Sequence, residues 1–294
     1  MDDPQVTDVL VNGYQSVFVE RAGELEKVPT PFENADQVMQ FIERLLVPIG
    51  RRMDATRPYM DGRLADGTRF HVILPPLAAS PAISLRKRRG AASAPLSSFG
   101  DATLIGWLVE QFQSGQNILI AGGTGAGKTT LLARLLDTVG PAERLVVVEE
   151  TSEILTGHPH CVFLEARAAT PDGIGEVTLR TLLRNALRMR PTRLVLGEVR
   201  GDEAWDLLQA MNTGHRGSAC TLHANSPMDA LRRLETLVLT GGIGAPLAAV
   251  RDWIASAIQI VVHLERRRDN RRIAGVLRVL GVEGDRYRIH PLET

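Results

Sequence analysis

The feature that most constrains this chain is a glycine-rich stretch at residues 122–129, which reads Gly-Gly-Thr-Gly-Ala-Gly-Lys-Thr. It matches the phosphate-binding pattern G-x-x-x-x-G-K-T/S in full. The apolar run at 117–121 predicts a buried strand before it, and the residues from Thr130 onward have the composition of a helix. Because strand, glycine loop and helix follow in this order, the loop amides and the helix N-terminus would point at an anion.

The residue types in this loop suit a nucleoside triphosphate. Glycines allow positive φ angles and let the backbone lie close against phosphate groups. Lys128 would reach the β- and γ-phosphates, and the Thr129 hydroxyl would hold the metal ion bound to them. We expect the nucleotide to be bound by Gly122, Gly123, Thr124, Gly125, Ala126, Gly127, Lys128, Thr129 and Thr130.

Composition narrows the class of protein. A length of 294 residues suggests two domains of about 150 residues each. The 34 Lys and Arg equal the 34 Asp and Glu, so the basic excess of a typical nucleic-acid-binding protein is missing. Two cysteines, Cys161 and Cys220, predict a reducing compartment without a disulfide framework. Because the sequence shows neither a signal peptide nor an apolar run of about 20 residues, we expect a cytosolic protein, or one peripheral to a membrane through partners.

Residues 1–90 predict a small α+β domain. We expect strands at 9–11, 17–20 and 70–74, a helix at 35–46, and turns at 12–13, 61–62 and 66–67. The segment 86–95 is basic, rich in small residues and without periodicity. It predicts an inter-domain linker, which we assign to residues 91–99.

Residues 100–294 alternate between helical and buried-strand patterns, which is typical of an α/β domain. The predicted strands are 117–121, 144–149, 162–165, 193–197 and 218–222. The predicted helices are 101–114, 128–138, 177–189, 202–211, 229–239 and 246–257. A hairpin is expected near the end of the chain, with strands at 259–264 and 273–279 and a charged turn at 265–272.

Two of these strands end in carboxylates. Glu198 follows the apolar run 194–197, and Glu149 and Glu150 follow the run 146–148. An acid at the carboxyl end of a strand beside a phosphate loop can reach the magnesium shell or the attacking water. A single acid there could be an ordinary surface residue, but two such endings in one domain favour function.

A glycine- and threonine-rich stretch at 213–225 carries two histidines, His215 and His223. A zinc site is disfavoured because no third or fourth ligand lies at a suitable spacing. Two interpretations remain open on the residues alone. Each histidine could be a loop or core residue, or a histidine at a strand end could donate a hydrogen bond to the γ-phosphate.

In this order the motifs resemble those of the secretion ATPase superfamily of type II, type IV and tight-adherence pilus systems, most closely its CpaF/TadA-like branch. The four motifs are the phosphate loop at 122–129, an acidic box at 149–153, a Walker B strand at 194–198 and a histidine box at 213–225. The runs 164–167, 184–191, 197–201 and 209–215 also look like the family. The resemblance covers nearly the whole chain.

The resemblance implies a RecA-like P-loop NTPase domain preceded by a smaller α+β domain. It implies hydrolysis of ATP with Mg²⁺ by direct attack of water, which Glu198 or the acidic-box pair Glu149 and Glu150 would orient. Glu198 would join Thr129 at the metal, and His223 would sense the γ-phosphate. The protein would be a homohexamer at the cytoplasmic face of the inner membrane. There it would power pilus assembly or protein secretion through inner-membrane platform proteins.

The resemblance also gives a role to Arg63 and Arg69, which match family arginines that approach the phosphates from the N-terminal domain. On the residues alone they would be surface arginines beside a turn. The chain departs from the family at Glu150, where Asp is common, and at Arg216, where an acid is common. Since its first predicted strand lies close to Met1, we expect the N-terminal helical extension of longer relatives to be missing.

Two other functions compete with a secretion motor. The first is a conjugation-type ATPase or a DNA-directed motor with the same core. Neutral net charge and an aromatic content of 4% argue against a channel that stacks bases or tracks phosphates, so no direct nucleic acid contact is expected. The second is a nucleotide-gated scaffold without hydrolysis, which the presence of Lys128, Thr129 and Glu198 disfavours.

Overall fold

The computed structural model describes residues 3, 5–21, 23–53, 56, 58–87, 94–167, 169, 174–267 and 270–292. The chain divides into two compact units, Met1–Ala92 and Ser93–Thr294. Residues 91–93 of the predicted linker lie outside the described residues. In the part of the chain that is described, no helix is both long enough and apolar enough to cross a membrane.

The N-terminal unit is a six-stranded antiparallel sheet with one helix, α1 (Ala35–Leu46). Its strands are β1 (Val6–Asn12), β2 (Val17–Arg21), β3 (Glu24–Val28), β4 (Tyr59–Arg63), β5 (Arg69–Ile73) and β6 (Ala82–Arg86), in the order β3-β2-β1-β6-β5-β4. Alternation along the strands puts one face of the sheet against α1. The shared core includes Val72 and Ile83 from the sheet and Val38 and Ile42 from α1.

The predicted turn at Asp61-Gly62 is wrong, because both residues lie inside the edge strand β4. Gly62 pairs with Phe70 across the ladder, and the Phe70 ring covers it. A Cβ atom on Gly62 would lie 2.2 Å from Cζ of Phe70. Glycine is therefore needed here for close packing within a strand, whereas the predicted turn at Asp66-Gly67 does connect β4 to β5.

Substituting Gly62 tests this packing. We expect Gly62→Ala to destabilise the N-terminal unit by about 1–3 kcal/mol, because the methyl group overlaps the Phe70 ring. Urea unfolding gives the free energy, and hydrogen exchange across β4–β6 assigns the loss to this unit. Gly106→Ala is the control, since a Cβ there meets nothing within 4 Å. If both variants are equally stable, the Phe70 ring does not restrict position 62.

The C-terminal unit is built on an eight-stranded sheet in the order β14-β13-β12-β7-β11-β10-β8-β9. Its strands are β7 (Ile118–Gly122), β8 (Leu145–Glu149), β9 (Cys161–Glu165), β10 (Arg193–Leu196), β11 (Ala219–Leu222), β12 (Ile260–Arg267), β13 (Asn270–Glu283) and β14 (Arg286–Leu292). Its helices are α2 (Ala102–Gln113), α3 (Lys128–Leu136), α4 (Leu179–Ala186), α5 (Glu203–Asn212), α6 (Pro227–Thr240) and α7 (Leu247–Ala257). The six strands β7 to β12 are parallel, and β13 and β14 are antiparallel to their neighbours.

Helices cover both faces of this sheet. The strands β7, β8, β10 and β11 are fully buried and read as continuous apolar runs, as strands covered on both faces do. One core contains α4 to α7, and the other contains α2 and α3. Because the strands are parallel, the loops after β7, β8, β10 and β11 all lie at the same edge of the sheet.

The end of the chain differs from the expected hairpin. Residues 265–267 and 270–272, predicted as a charged turn, are paired strand residues of β12 and β13. Glu265 lies directly across from Arg272, and opposite charges at such a pair stabilise a ladder. A further strand, β14, was not predicted, and neither were β3, β4 and β6 of the N-terminal unit.

Candidate nucleotide-binding site

The phosphate loop joins the buried strand β7 to α3, which begins at Lys128. Gly127, the N-cap residue, has a φ angle of 95°, a conformation that residues with side chains rarely adopt. No described side chain caps this helix end. Its first amides are therefore available to an anion, together with those of the loop.

The ammonium group of Lys128 lies at the centre of the site. The residue is 7% exposed, and Nζ donates to the carbonyl oxygens of Gly122 at 3.0 Å and Gly123 at 2.9 Å. Burial lowers the pKa of Lys128, and the nearby Glu198 carboxylate opposes this effect. The loop thus holds a cation where the phosphates of a nucleotide would bind.

Glu198 and His223 reach Lys128 from two neighbouring strands. Glu198 follows β10 and His223 follows β11, and these strands pair in parallel. The Nε2 atom of His223 lies 3.2 Å from Oε1 of Glu198. Both ring nitrogens of His223 lie 3.4 Å from Nζ of Lys128. The structure therefore brings three residues together that are far apart in the sequence.

The surroundings of His223 favour its neutral form. Burial and the positive charge of Lys128 lower its pKa below the usual 6.5. A neutral ring with its hydrogen on Nε2 donates to Glu198 and accepts from Lys128 at Nδ1. His215, the other histidine of the box, precedes β11 and has Nδ1 3.1 Å from the carbonyl oxygen of Ala210. It lies at the opposite end of β11 from the phosphate loop.

Arg200 joins two of the predicted acids, and the sequence analysis missed it as a site residue. Its Nη2 donates to Oε2 of Glu198 at 2.8 Å, and its Nη1 pairs with Glu150. A positive charge between two carboxylates offsets their repulsion, so Arg200 connects the Walker B end to the acidic box. The sequence feature that could have identified Arg200 was its position two residues after Glu198, just beyond the end of β10.

The two acids of the acidic box differ in their surroundings. Glu149 is 4% exposed and accepts from the backbone N–H groups of Glu153 and Ile154, each at 3.0 Å. Its side chain packs against Gly197, where a Cβ atom would lie 2.7 Å from Cγ of Glu149. Burial raises the pKa of Glu149 to about 7, although these hydrogen bonds oppose the shift. Glu150 is more than half exposed and faces Arg200.

The donor set fits a magnesium ion held together with a nucleotide. Within the described ranges, no group of three or more His, Cys, Asp or Glu side chains could hold a metal by itself. Mg²⁺ commonly uses one or two protein oxygens, with phosphates and water completing its shell. Thr129 in the first turn of α3 and Glu198 can supply those oxygens.

The predicted arginines of the N-terminal unit are neighbours in its sheet. Arg63 and Arg69 are cross-strand partners at the end of the β4–β5 hairpin. Arg69 also pairs with Arg86, and Arg86 pairs with Asp8. Because cross-strand partners share a face of the sheet, the three arginines form a basic row, of which the sequence analysis missed Arg86. The approach of Arg63 and Arg69 to a nucleotide stays a prediction.

The fold and the loop together define a P-loop nucleotide-binding protein. A profile of the family described as type II/IV secretion system protein matches residues 1–279. The chain therefore belongs to the type II/IV secretion system protein family, and ATP hydrolysis is its expected activity. This confirms the predicted superfamily.

Individual relatives agree with this assignment. A putative conjugal transfer protein of Mycobacterium tuberculosis is 42% identical over 285 residues, which cover 93% of this chain and 80% of the relative. The conjugal transfer protein TrbB of Rhizobium radiobacter is 33% identical over 299 residues, covering 98% of this chain and 88% of the relative.

Solved structures show the same fold. The VirB11 ATPase of the Brucella suis type IV secretion system has a TM-score of 0.53 at 28% identity, covering 94% of this chain and 93% of that one. The pilus retraction motor PilT, at 19% identity, has a TM-score of 0.63 over 88% of this chain and 74% of its own. These structures confirm the predicted fold class, a RecA-like ATPase domain preceded by a smaller α+β domain.

The buried Glu149 predicts a pH dependence of stability. Because its pKa rises from 4.5 to about 7 on folding, the folded state binds more protons than the unfolded state between these values. The contribution of this raised pKa to the free energy of unfolding is complete below pH 4.5 and is lost as the pH rises through 7. Between pH 5 and 8, wild type should therefore lose roughly 3 kcal/mol relative to Glu149→Gln.

Urea unfolding at several pH values measures this difference. Glu110→Gln, which removes an exposed carboxylate from α2, is the control and should follow the wild-type profile. Parallel profiles for wild type and Glu149→Gln would contradict the raised pKa.

Proposed function

We propose that this chain is a Mg-ATP-hydrolysing motor of a type IV secretion or conjugal transfer machine. The observation that carries this proposal is the contact of Lys128, Glu198 and His223 at the phosphate loop. Relatives named for conjugal transfer and type IV secretion favour the conjugation-type alternative over a pilus machine. From the sequence alone, pilus assembly or protein secretion was the first choice, and assembly of a tight-adherence pilus has no such support.

The residues divide the chemistry between them. The loop amides and Lys128 bind the phosphates and stabilise the charge that develops on the transferred group. Mg²⁺, when bound, would add Lewis-acid stabilisation of the same charge. Glu198 is our first choice to orient the attacking water, because its carboxylate lies at the loop and has hydrogen-bond partners that fix it. Glu149 is the alternative, since a carboxyl with a pKa near 7 can act as a base.

His223 would report the presence of the γ-phosphate. It touches both the lysine that binds this phosphate and the acid that orients the water. A phosphate that draws Lys128 away from the ring would change the hydrogen bonds of His223. Because α6 begins four residues after His223, this change would reach the helix directly.

Several finer features complete the proposal. The protein would act as a homohexamer at the cytoplasmic face of the inner membrane, bound to platform proteins of the machine. Residues 1–90 and 100–294 would act as separate domains, and residues 91–99 as the hinge between them. Arg63 and Arg69 would close on the nucleotide. A net charge of zero favours a motor that drives the machine over one that grips DNA itself.

Phosphate release tests the assignment of hydrolysis. Lys128→Ala should abolish release, because the loop loses the cation that binds the transferred phosphate. Glu198→Gln should bind ATP nearly as wild type does but hydrolyse it at least ~100-fold more slowly. Glu110→Gln is the matched control and should keep full activity.

Three outcomes would contradict this assignment. Full activity of Lys128→Ala would exclude the loop as the site of hydrolysis. Full activity of Glu198→Gln together with an inactive Glu149→Gln or Glu150→Gln would make the acidic box the base. Wild-type protein that binds ATP without releasing phosphate would be a nucleotide-gated scaffold.

Light scattering tests the assembly. With a non-hydrolysable ATP analogue we expect the mass of six protomers, because a ring lets one subunit place arginines at the nucleotide of its neighbour. ADP serves as the comparison at the same protein concentration. A monomer mass at micromolar concentration with the analogue would count against a ring motor.

A further inference from the structure

The first residue of α5, Glu203, is a buried acid that bonds to the chain before its own helix. It is 5% exposed, and its Oε1 accepts from the backbone N–H groups of Arg200 at 2.6 Å and Gly201 at 2.9 Å. Burying a carboxylate is costly unless N–H donors replace the water. The two amides and the positive end of the α5 dipole supply that replacement. Glu203 therefore holds the segment that joins β10 to α5, residues 197–202.

A glutamate at such a place commonly stabilises its helix. In a capping box, an acid in the first turn accepts from the N–H group of the residue three positions earlier. Glu203 lies three residues after Arg200, and the side chain of Asp202 makes no capping hydrogen bond. A role in helix stability alone would be complete with these contacts. Arg200, however, is also a residue of the candidate site.

The direction of the Arg200 side chain depends on the backbone that Glu203 holds. This side chain is 57% exposed, so solvent surrounds much of it, and its guanidinium pairs with Glu198 and Glu150. A long exposed side chain has many rotamers and loses entropy when it is held in one. Fixing the backbone at Arg200 and Gly201 fixes the point from which the guanidinium must reach both acids.

The Arg200 contact decides how the Glu198 carboxylate is turned. Its Oε1 lies 3.2 Å from Nε2 of His223, and its Oε2 accepts from Nη2 of Arg200 at 2.8 Å. A carboxylate with a partner on each oxygen has a fixed plane, whereas one with a single partner can rotate about it. The intervening Val199 is 1% exposed, and its N–H donates to the carbonyl of Thr221 at 2.9 Å. The backbone around Glu198 is thus held from β11 on one side and from α5 on the other.

We propose that Glu203 is a positioning residue for ATP hydrolysis, which holds Arg200 so that its guanidinium orients the Glu198 carboxylate. The inference rests on the proposed function, in which Glu198 orients the attacking water. Glu203 acts through Arg200 and leaves binding of the nucleotide to the phosphate loop and Lys128. Its loss should therefore lower kcat and leave KM nearly unchanged, because a misplaced group costs rate without costing ground-state binding.

Phosphate release measures this effect. Glu203→Ala should lower kcat roughly ten-fold, with KM within about two-fold of wild type. Glu235→Ala is the matched control, since Glu235 is a carboxylate of similar burial that accepts from Nε of Arg251 at 3.0 Å, on α6. It should be less stable than wild type in urea but keep kcat within two-fold. Loss of stability alone therefore does not explain a slow Glu203→Ala.

Two conservative variants separate the contact from the charge. Glu203→Gln loses the charge but keeps an oxygen that can accept from both amides, so it should recover most of the wild-type kcat. Glu203→Asp keeps an acid at the start of α5 but is one methylene too short to reach the amides, so it should be as slow as Glu203→Ala. These two variants also carry the test if Glu203→Ala does not fold.

A double variant tests whether Glu203 acts through Arg200. Arg200→Ala should be at least as slow as Glu203→Ala. The double variant should have the kcat of Arg200→Ala alone, because residues that act through one contact are not additive. A crystal structure of Glu203→Ala without nucleotide gives a readout that needs no hydrolysis. In it, the guanidinium of Arg200 should have left Oε2 of Glu198.

Four results would overturn the inference: a wild-type kcat in Glu203→Ala; a fast Glu203→Asp with a slow Glu203→Gln, which would make the charge at the helix start the cause; a double variant whose loss is the product of the two single losses; and an unchanged contact between Arg200 and Glu198 in the crystal structure. Wild-type protein that releases no phosphate would reject the proposed hydrolysis instead. The crystal structure alone would then decide whether Glu203 holds Arg200 on Glu198.

Discussion

A buried ammonium group determines how the rest of this site is arranged. Removing a charge from water is costly unless polar partners replace the water. For Lys128 those partners are the carbonyls of Gly122 and Gly123, with His223 beside them and the Glu198 carboxylate nearby. They come from the loop itself and from the ends of β10 and β11. The charged form of Lys128 is therefore stabilised only if β7, β10 and β11 end at the same edge of the sheet.

The packing of β10 meets this requirement at both of its ends. At its start, Arg193 is 3% exposed, forms two bonds to the Glu143 carboxylate at 2.6 and 2.9 Å, and donates to the carbonyl of Phe112. Beyond its last residue, the hydroxyl of Thr221 on β11 donates to the carbonyl of Gly197. Because both ends of β10 are held by these hydrogen bonds, the position of Glu198 along the sheet is fixed. Contacts that lie outside the nucleotide site therefore fix the geometry of the site.

Sequence patterns predict the helices, strands and loops that local composition determines. They miss the contacts that depend on the register between strands. The phosphate loop, α3 and the buried strands were predictable, since each is a run of one residue type bounded by glycine or a charge. The turn at 61–62 was wrong because the ring that covers Gly62 belongs to another strand. The prediction of a turn at 265–272 was wrong because Glu265 and Arg272 pair across the β12–β13 ladder. Arg200 was missed as a site residue because one of its two partners, Glu150, lies in a distant part of the chain.

The charged side chains on the β11 side of the loop balance one another before a nucleotide binds. On the β11 side, Lys128 and Arg200 face Glu198 and Glu150, so the two positive groups are already matched by two acids. The neutral form of His223 adds no charge. Phosphates entering this arrangement bring net negative charge that these side chains alone do not offset. The positive charge that the phosphates still require would then come from Mg²⁺, which Thr129 and Glu198 would hold, and from the N-terminus of α3, where no described side chain caps the helix.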